Sequence, residues 1–297
     1  MKASGPWSSL NGLRLSFESD LIRFPVKPQM QAVRALTRRV RSKYHRLCGE
    51  HLYRRPLMIV ADLPVVSFTF DDFPSTALST GGGILRKYGK VGTYYVSFGL
   101  AGKDDATGRM CTLEDLKKLR AEGHELGCHT YDHCDSGLTP SEAFLKSVRA
   151  NSVALARQFP GASFRTLSFP KSAPRGRTKQ LVAGFFECCR GGGQTFNAGT
   201  ADLNNLRAYF LEQAKGDMDA IRRVIDQNQE AKGWLIFASH DVCYHPSPFG
   251  CTPELFDAVV RYTVESGALV LPVLKSLEWY SEHRAALAPC ASSSPAL

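Results

Sequence analysis

A chain of 297 residues is long enough for one large domain or two small ones, and 43% hydrophobic with 22% charged content suits a packed core. No apolar run approaches the ~20 residues of a membrane-spanning helix. The net charge of +9 hints at nucleic acid, but residues 1–60 hold 12 basic and 3 acidic side chains, which leaves the rest of the chain neutral and argues against a nucleic-acid surface on its main body.

In chain order, residues 1–29 show little periodicity, and Met30 is a candidate initiator. From Gln31 to Leu47 the apolar residues Val33, Leu36, Val40, Tyr44 and Leu47 recur at helical steps among arginines. This predicts a basic helix that packs on the domain or lies on an anionic membrane surface. Beyond residue 56 strand-like runs alternate with helical ones. Strands are expected at Val65–Phe70, Gly92–Phe98, His124–Cys128, Phe164–Phe169, Phe185–Arg190, Arg207–Leu211, Trp234–Ser239 and Ala268–Val273. Helices are expected at Leu113–Ala121 with Thr112 as N-cap, Ser141–Phe159, Asp217–Lys232 and Glu254–Glu265. Repeated strand–helix units imply parallel strands, so the fold class is α/β, a distorted (β/α) barrel of about seven parallel strands with an N-terminal basic helical extension. The domains are then 1–58 (extension), 59–284 (barrel) and 285–297 (an Ala/Ser/Pro-rich disordered tail).

Nine cysteines, an odd number with no CxxC, follow no disulfide framework. Together with the absence of a charged-then-apolar start, they predict reduced thiols and a cytoplasmic location.

The chemistry lies at strand ends. Asp71 and Asp72 close the first strand, His129 and His133 follow the third, and His240 ends the Trp234–Ser239 run. Two imidazoles and a carboxylate suit a catalytic divalent metal that keeps a position open for water, and a second carboxylate beside them is free to take a proton. Singly, each has a plain structural reading: a helix cap, surface histidines, a hydrogen-bonded pair. Together at one rim of a barrel they predict a metal-assisted hydrolase. Cys128 and Cys134 flank the histidine pair, but strand alternation turns Cys128 away. The runs Gly81–Gly83 and Gly191–Gly193 lack the lysine or spacing of phosphate loops.

Thr69-Phe70-Asp71-Asp72, then His129-Thr130-Tyr131-Asp132-His133, then an apolar strand ending in His240 resemble the polysaccharide deacetylase (NodB-homology) family, carbohydrate esterase family 4, over residues 60–280. The resemblance implies a distorted barrel that removes acetyl groups from N-acetylated sugars with a divalent metal, zinc as the expected ion and cobalt, nickel or iron as alternatives. It implies Asp71 as general base, Asp72, His129 and His133 as ligands, His240 as general acid, and the backbone N–H of Lys171 in the oxyanion site. Leu235 and Phe237, on the His240 strand, are expected to form the pocket for the acetyl methyl. The family's third motif, usually Arg-Pro-Pro-Tyr-Gly, here reads Phe169-Pro170-Lys171-Ser172. Its arginine, which pairs with the base, is absent from its usual place; Arg175 is the expected replacement, ahead of Arg165. The fourth motif has no clear counterpart, which leaves the carboxylate that tunes the acid unassigned. Asp241, adjacent to His240, is expected to point to the opposite face. The expected partner is an N-acylated sugar or oligosaccharide, with peripheral membrane contact through the basic helix. The alternatives are a deformylase or other amide hydrolase, or a catalytically silent glycan-binding protein.

Overall fold

The computed structural model describes residues 49–287 together with Val40, Lys43, Tyr44 and Leu47. Most of the expected Gln31–Leu47 helix lies outside the described residues; those four positions are helical, as are residues 49–51. Residues 288–297, most of the expected tail, also lie outside them.

The apolar runs become eight strands: β1 (Val65–Phe70), β2 (Thr93–Val96), β3 (Glu125–Cys128), β4 (Thr166–Ser168), β5 (Cys188–Arg190), β6 (Tyr209–Phe210), β7 (Trp234–Ser239) and β8 (Leu269–Val270). Seven of them run in the order β6-β7-β1-β2-β3-β4-β5, all parallel, and β8 joins the start of β1. The sheet is a curled half-barrel. The helices are α1 (Gly83–Lys87), entered through a π-helical stretch at Ala77–Gly82, α2 (Leu113–Ala121), α3 (Ser141–Gln158), α4 (Gly176–Val182), α5 (Met218–Ala231), α6 (Pro253–Glu265) and α7 (Val273–Leu287). Thr112 caps α2 in a reciprocal box with Asp115.

Strand alternation divides the core. Val66, Phe68, Phe70, Tyr94, Val96, Cys128, Leu167, Cys189, Leu235 and Phe237 face the surrounding helices, among Leu116, Phe144, Ile221 and Phe256. Phe68 stacks on Phe237 at 5.5 Å and meets Phe256 edge-on at 5.6 Å. Each fully buried aromatic contributes about 1.5–3 kcal/mol. The opposite parity, Val65, Cys188, Trp234, Ile236 and Ala238, packs with Val273, Leu277 and Tyr280 of α7. Thus α7 plugs the N-terminal end of the strands. There Trp234 Nε1 donates to Ser67 Oγ, which also bonds Ser276, and Glu125 accepts from Thr93, Thr166 and the Leu274 N–H. With that end filled, the inward polar residues beyond Thr69 open at the C-terminal end.

Helix α7 begins within the expected Ala268–Val273 strand and runs through Leu287, past Ala285 where the tail is expected to start. The stretch Pro56–Ile59 pairs antiparallel with Gly199–Asp202, and α4 lies beside it. Lys179 of α4 is fully buried and donates to the carbonyls of Gly49 (2.7 Å) and Leu52 (2.8 Å) and to the Asp202 carboxylate.

Candidate active site

Asp71 is the next inward position after Thr69, and its N–H donates to Ser239 O at 2.9 Å. The chain then reverses sharply: Asp72 and Phe73 have φ of 60° and 56°, and Phe73 is anchored against Tyr94 at 5.0 Å. The turn points Asp72 back over the mouth beside Asp71. His129 continues the inward parity of β3, and its N–H donates to Val96 O. His133 is carried by a turn in which Thr130 has φ of 61° and its hydroxyl accepts from Cys134 N. Among the described residues nine non-glycines have positive φ, and five of them, Asp72, Phe73, Thr130, His133 and Lys171, lie in the turns at this rim. Such strain persists where the surroundings over-determine the backbone, as functional sites do.

One ligand atom each from Asp72, His129 and His133 lies within 4.8 Å of the others. His129 Nδ1 meets Ser168 O at 2.9 Å, so Nδ1 carries the proton and Nε2 presents a lone pair. Burial pushes the His129 imidazole down to about 4, against the opposing pull of Asp71, and keeps it neutral. Asp72 Oδ1 stands 3.5 Å from His129 Nε2 and 3.0 Å from His133 Nε2, yet no donor is aligned on this buried oxygen. Lone pairs facing one another in a buried cleft repel unless a cation stands between them. The three residues therefore fit a divalent metal, with hard and borderline donors suited to zinc and its neighbours.

Asp71 has a partner that no motif announces. Arg190, at the C-terminal end of β5, is 1% exposed and donates to the Asp71 carboxylate and to Ser168 Oγ. Its guanidinium lies 5.3 Å from the Tyr95 ring and 5.4 Å from the Phe210 ring. Gly127 makes room for this arrangement, since a Cβ there would sit 2.4 Å from the Tyr95 ring. Burial raises the Asp71 carboxyl, but the charge and hydrogen bond of the Arg190 guanidinium outweigh it and hold Asp71 well below the usual carboxylate range. Nearby, burial foremost and the Asp71 charge next raise the Glu212 carboxyl to about 7.

The expected replacements for that arginine are corrected. Arg175 donates to Gly137 O and Leu138 O, and Arg165 bonds Glu187 and Glu278 on the outside. Arg190 was missed because its strand, Cys188-Cys189-Arg190, has no motif; the available signal was parity, with Arg190 two residues beyond inward Cys188. The expected acetyl pocket is also corrected. Leu235 and Phe237 are buried against the helices, because odd offsets from His240 put them on the other face of β7. Trp234, Ile236 and Ala238 share the inward parity of His240.

His240 is brought to the mouth by the β7–β1 register, which pairs Ser239 with Phe70 and puts His240 level with Asp71. Its Nδ1 meets Phe249 O at 3.1 Å, which directs Nε2 elsewhere. Lys171 follows Pro170 with φ of 64°, and its N–H meets no acceptor among the described residues. Cys128 faces Asn151 on the helix side, away from the histidines.

Residues 61–184 match the family model for polysaccharide deacetylase. Over that stretch, which carries Asp71, Asp72, His129 and His133, the barrel is similar to the polysaccharide deacetylase family. A gellan lyase from Bacillus sp is 32% identical over 162 residues, 54% of this chain, but the chain spans only 6% of that relative's length. Among solved structures, the chitin deacetylase of Colletotrichum lindemuthianum superposes with a TM-score of 0.53 at 17% identity, covering 74% of this chain and 92% of its own. A family 4 acetyl xylan esterase from Clostridium thermocellum, in complex with a cobalt ion, superposes at 0.51 with 18% identity, covering 72% and 91%. At these identities the two superpositions establish a shared fold.

Proposed function

We propose that this protein is a metal-dependent hydrolase that removes an acetyl group from an N-acetylated sugar or oligosaccharide. The observation that carries the reading is the Arg190–Asp71 pair beside the Asp72/His129/His133 donor set. The arginine missing from the third motif was the best argument for a silent, glycan-binding protein, and Arg190 supplies the same charge to Asp71 from the adjoining strand.

Asp72, His129 and His133 would hold the cation. When bound, it supplies Lewis acidity toward the acyl carbonyl and toward water. Asp71, kept ionised by Arg190, accepts one proton of water as the water oxygen bonds the acetyl carbon. The Lys171 N–H donates to the oxygen that gains charge. The C–N bond then breaks, and His240 Nε2 gives its proton to the departing amine. Acetic acid and a free amine leave, and the proton on Asp71 returns to His240 through solvent.

The chitin deacetylase and acetyl xylan esterase superpositions support acetyl removal from carbohydrate as the reaction class, and the cobalt in the latter supports a divalent ion. A cytoplasmic, reducing compartment is part of this proposal, on the odd number and unpatterned spacing of the nine cysteines in the sequence. The decisive assay is acetate release from a panel of N-acetylated sugars by metal-loaded protein, with and without chelator. Chelator-sensitive release is expected; no release from any member of the panel overturns the reading.

A further inference from the structure

The acid His240 has no carboxylate on its Nδ1. Among the described residues its only hydrogen-bond partner is Phe249 O, and the Phe249 ring lies 5.5 Å from the imidazole. That carbonyl belongs to the loop from Asp241 to Thr252, and the loop is held by one side chain. Asp241 is 3% exposed. Its Oδ2 accepts from the Ser247 N–H at 2.7 Å and the Cys243 thiol at 3.6 Å, and its Oδ1 accepts from Ser247 Oγ at 2.5 Å. Ser247 passes the constraint on: its Oγ accepts from Phe249 N at 3.2 Å, and its carbonyl accepts from Gly250 N at 3.1 Å. Cys251 N donates to Asp241 O at 3.0 Å and closes the loop. The fit leaves no slack, since a Cβ on Gly250 would lie 2.4 Å from Asp241 Oδ1.

A buried carboxylate with no cation among its bonded partners is costly and persists where its hydrogen bonds fix something. We propose that Asp241 is the positioning residue of the general acid: through Ser247 it fixes the Phe249 carbonyl, which holds His240 with the proton on Nδ1 and Nε2 free for transfer. When His240 gives up its Nε2 proton, the product is the Nδ1–H tautomer, and the Phe249 carbonyl stabilises that product. Without the acceptor, the neutral ring is free to rotate or to keep its proton on Nε2.

The catalytic half of this inference rests on the deacetylase reading, and the positional half does not. The positional half is tested by ¹⁵N NMR of histidine-labelled protein near neutral pH, with His240 identified by the signal lost in His240→Gln. The wild type is expected to show Nδ1–H, and Asp241→Asn a mixture of tautomers. An Nε2–H wild type, or an unchanged Asp241→Asn, overturns the proposal. The catalytic half compares an N-acetyl sugar with 4-nitrophenyl acetate, whose leaving group needs no proton. In Asp241→Asn, amide turnover is expected to fall about 30-fold, part of the ~10²–10⁴ that general acids contribute, and ester turnover about 3-fold or less. Equal losses on both substrates, or no loss on either, overturn the catalytic claim. Ser247→Ala, which removes only the hydroxyl relay, is expected to show the same amide-selective loss at about 5-fold and serves if Asp241→Asn does not fold. A wild type inactive on both substrates refutes the deacetylase reading while the NMR result still decides the position of His240.

Discussion

The two ends of the barrel treat their inward carboxylates in opposite ways. At the plugged end Glu125 is ringed by two hydroxyls and a backbone N–H, and Ser67 bonds both Ser276 and Trp234. At the mouth Asp72 Oδ1 has no aligned donor, and its turn is strained. The first arrangement is complete without anything added. The second is complete only when something outside the chain arrives. Satisfied polar groups at one end give the rigidity that lets the other end keep unsatisfied ones.

That contrast can be broken from either side. The largest effect is expected at Asp72. The wild type is expected to carry about one divalent ion per chain, and Asp72→Ala should lose it, measured by metal analysis, and all turnover with it. Undiminished metal content would remove Asp72 from the ligand set. Asp71→Asn should keep the metal and lose about 10²–10⁴ in turnover; comparable turnover would end its role as base. Arg190→Met should follow. Arg190 lowers the Asp71 carboxyl against its burial, so its removal raises that carboxyl. A base works only when ionised, so activity is lost first on the acid side, and the acidic limb of kcat/KM should move to higher pH. An unmoved limb would separate Arg190 from catalysis. Gly127→Ala should displace Tyr95 from the guanidinium and lower turnover by less than Arg190→Met, with metal retained. At the plugged end, Glu125→Ala should cost about 1–3 kcal/mol of stability, seen as a lower Tm, with kcat unchanged. A selective loss of kcat there would blur the division between the two ends.

How much of this was legible in the residues follows from strand length and parity. Val65–Phe70 and Trp234–Ser239 coincide with the expected strands because long apolar runs bounded by polar residues leave little choice of ends. Shorter strands such as Thr166–Ser168 came out narrower, since their flanks are apolar for packing rather than pairing. Helix α7 was missed although Val273, Leu277 and Tyr280 recur at the i, i+4, i+7 steps of a helix face, because its first residue closes the apolar run Ala268–Val273, which reads as a strand. The residues that converge at the mouth were readable as ones that close strands. Arg190 was not, because its partnership with Asp71 spans 119 residues and arises from curling of the sheet. Leu235 and Phe237 show the converse failure: the strand was right, and the face was wrong.

Lys179 has a practical corollary for anyone shortening this protein. Its ammonium is neutralised by Asp202 and solvated by two peptide oxygens that come from before Tyr53. A version trimmed at the family-like boundary near residue 59 would leave that amine with one companion instead of three, deep in apolar surroundings. The useful starting point therefore lies upstream of Gly49, and the stretch from Gly49 to Leu52 counts as part of the folded domain that follows it.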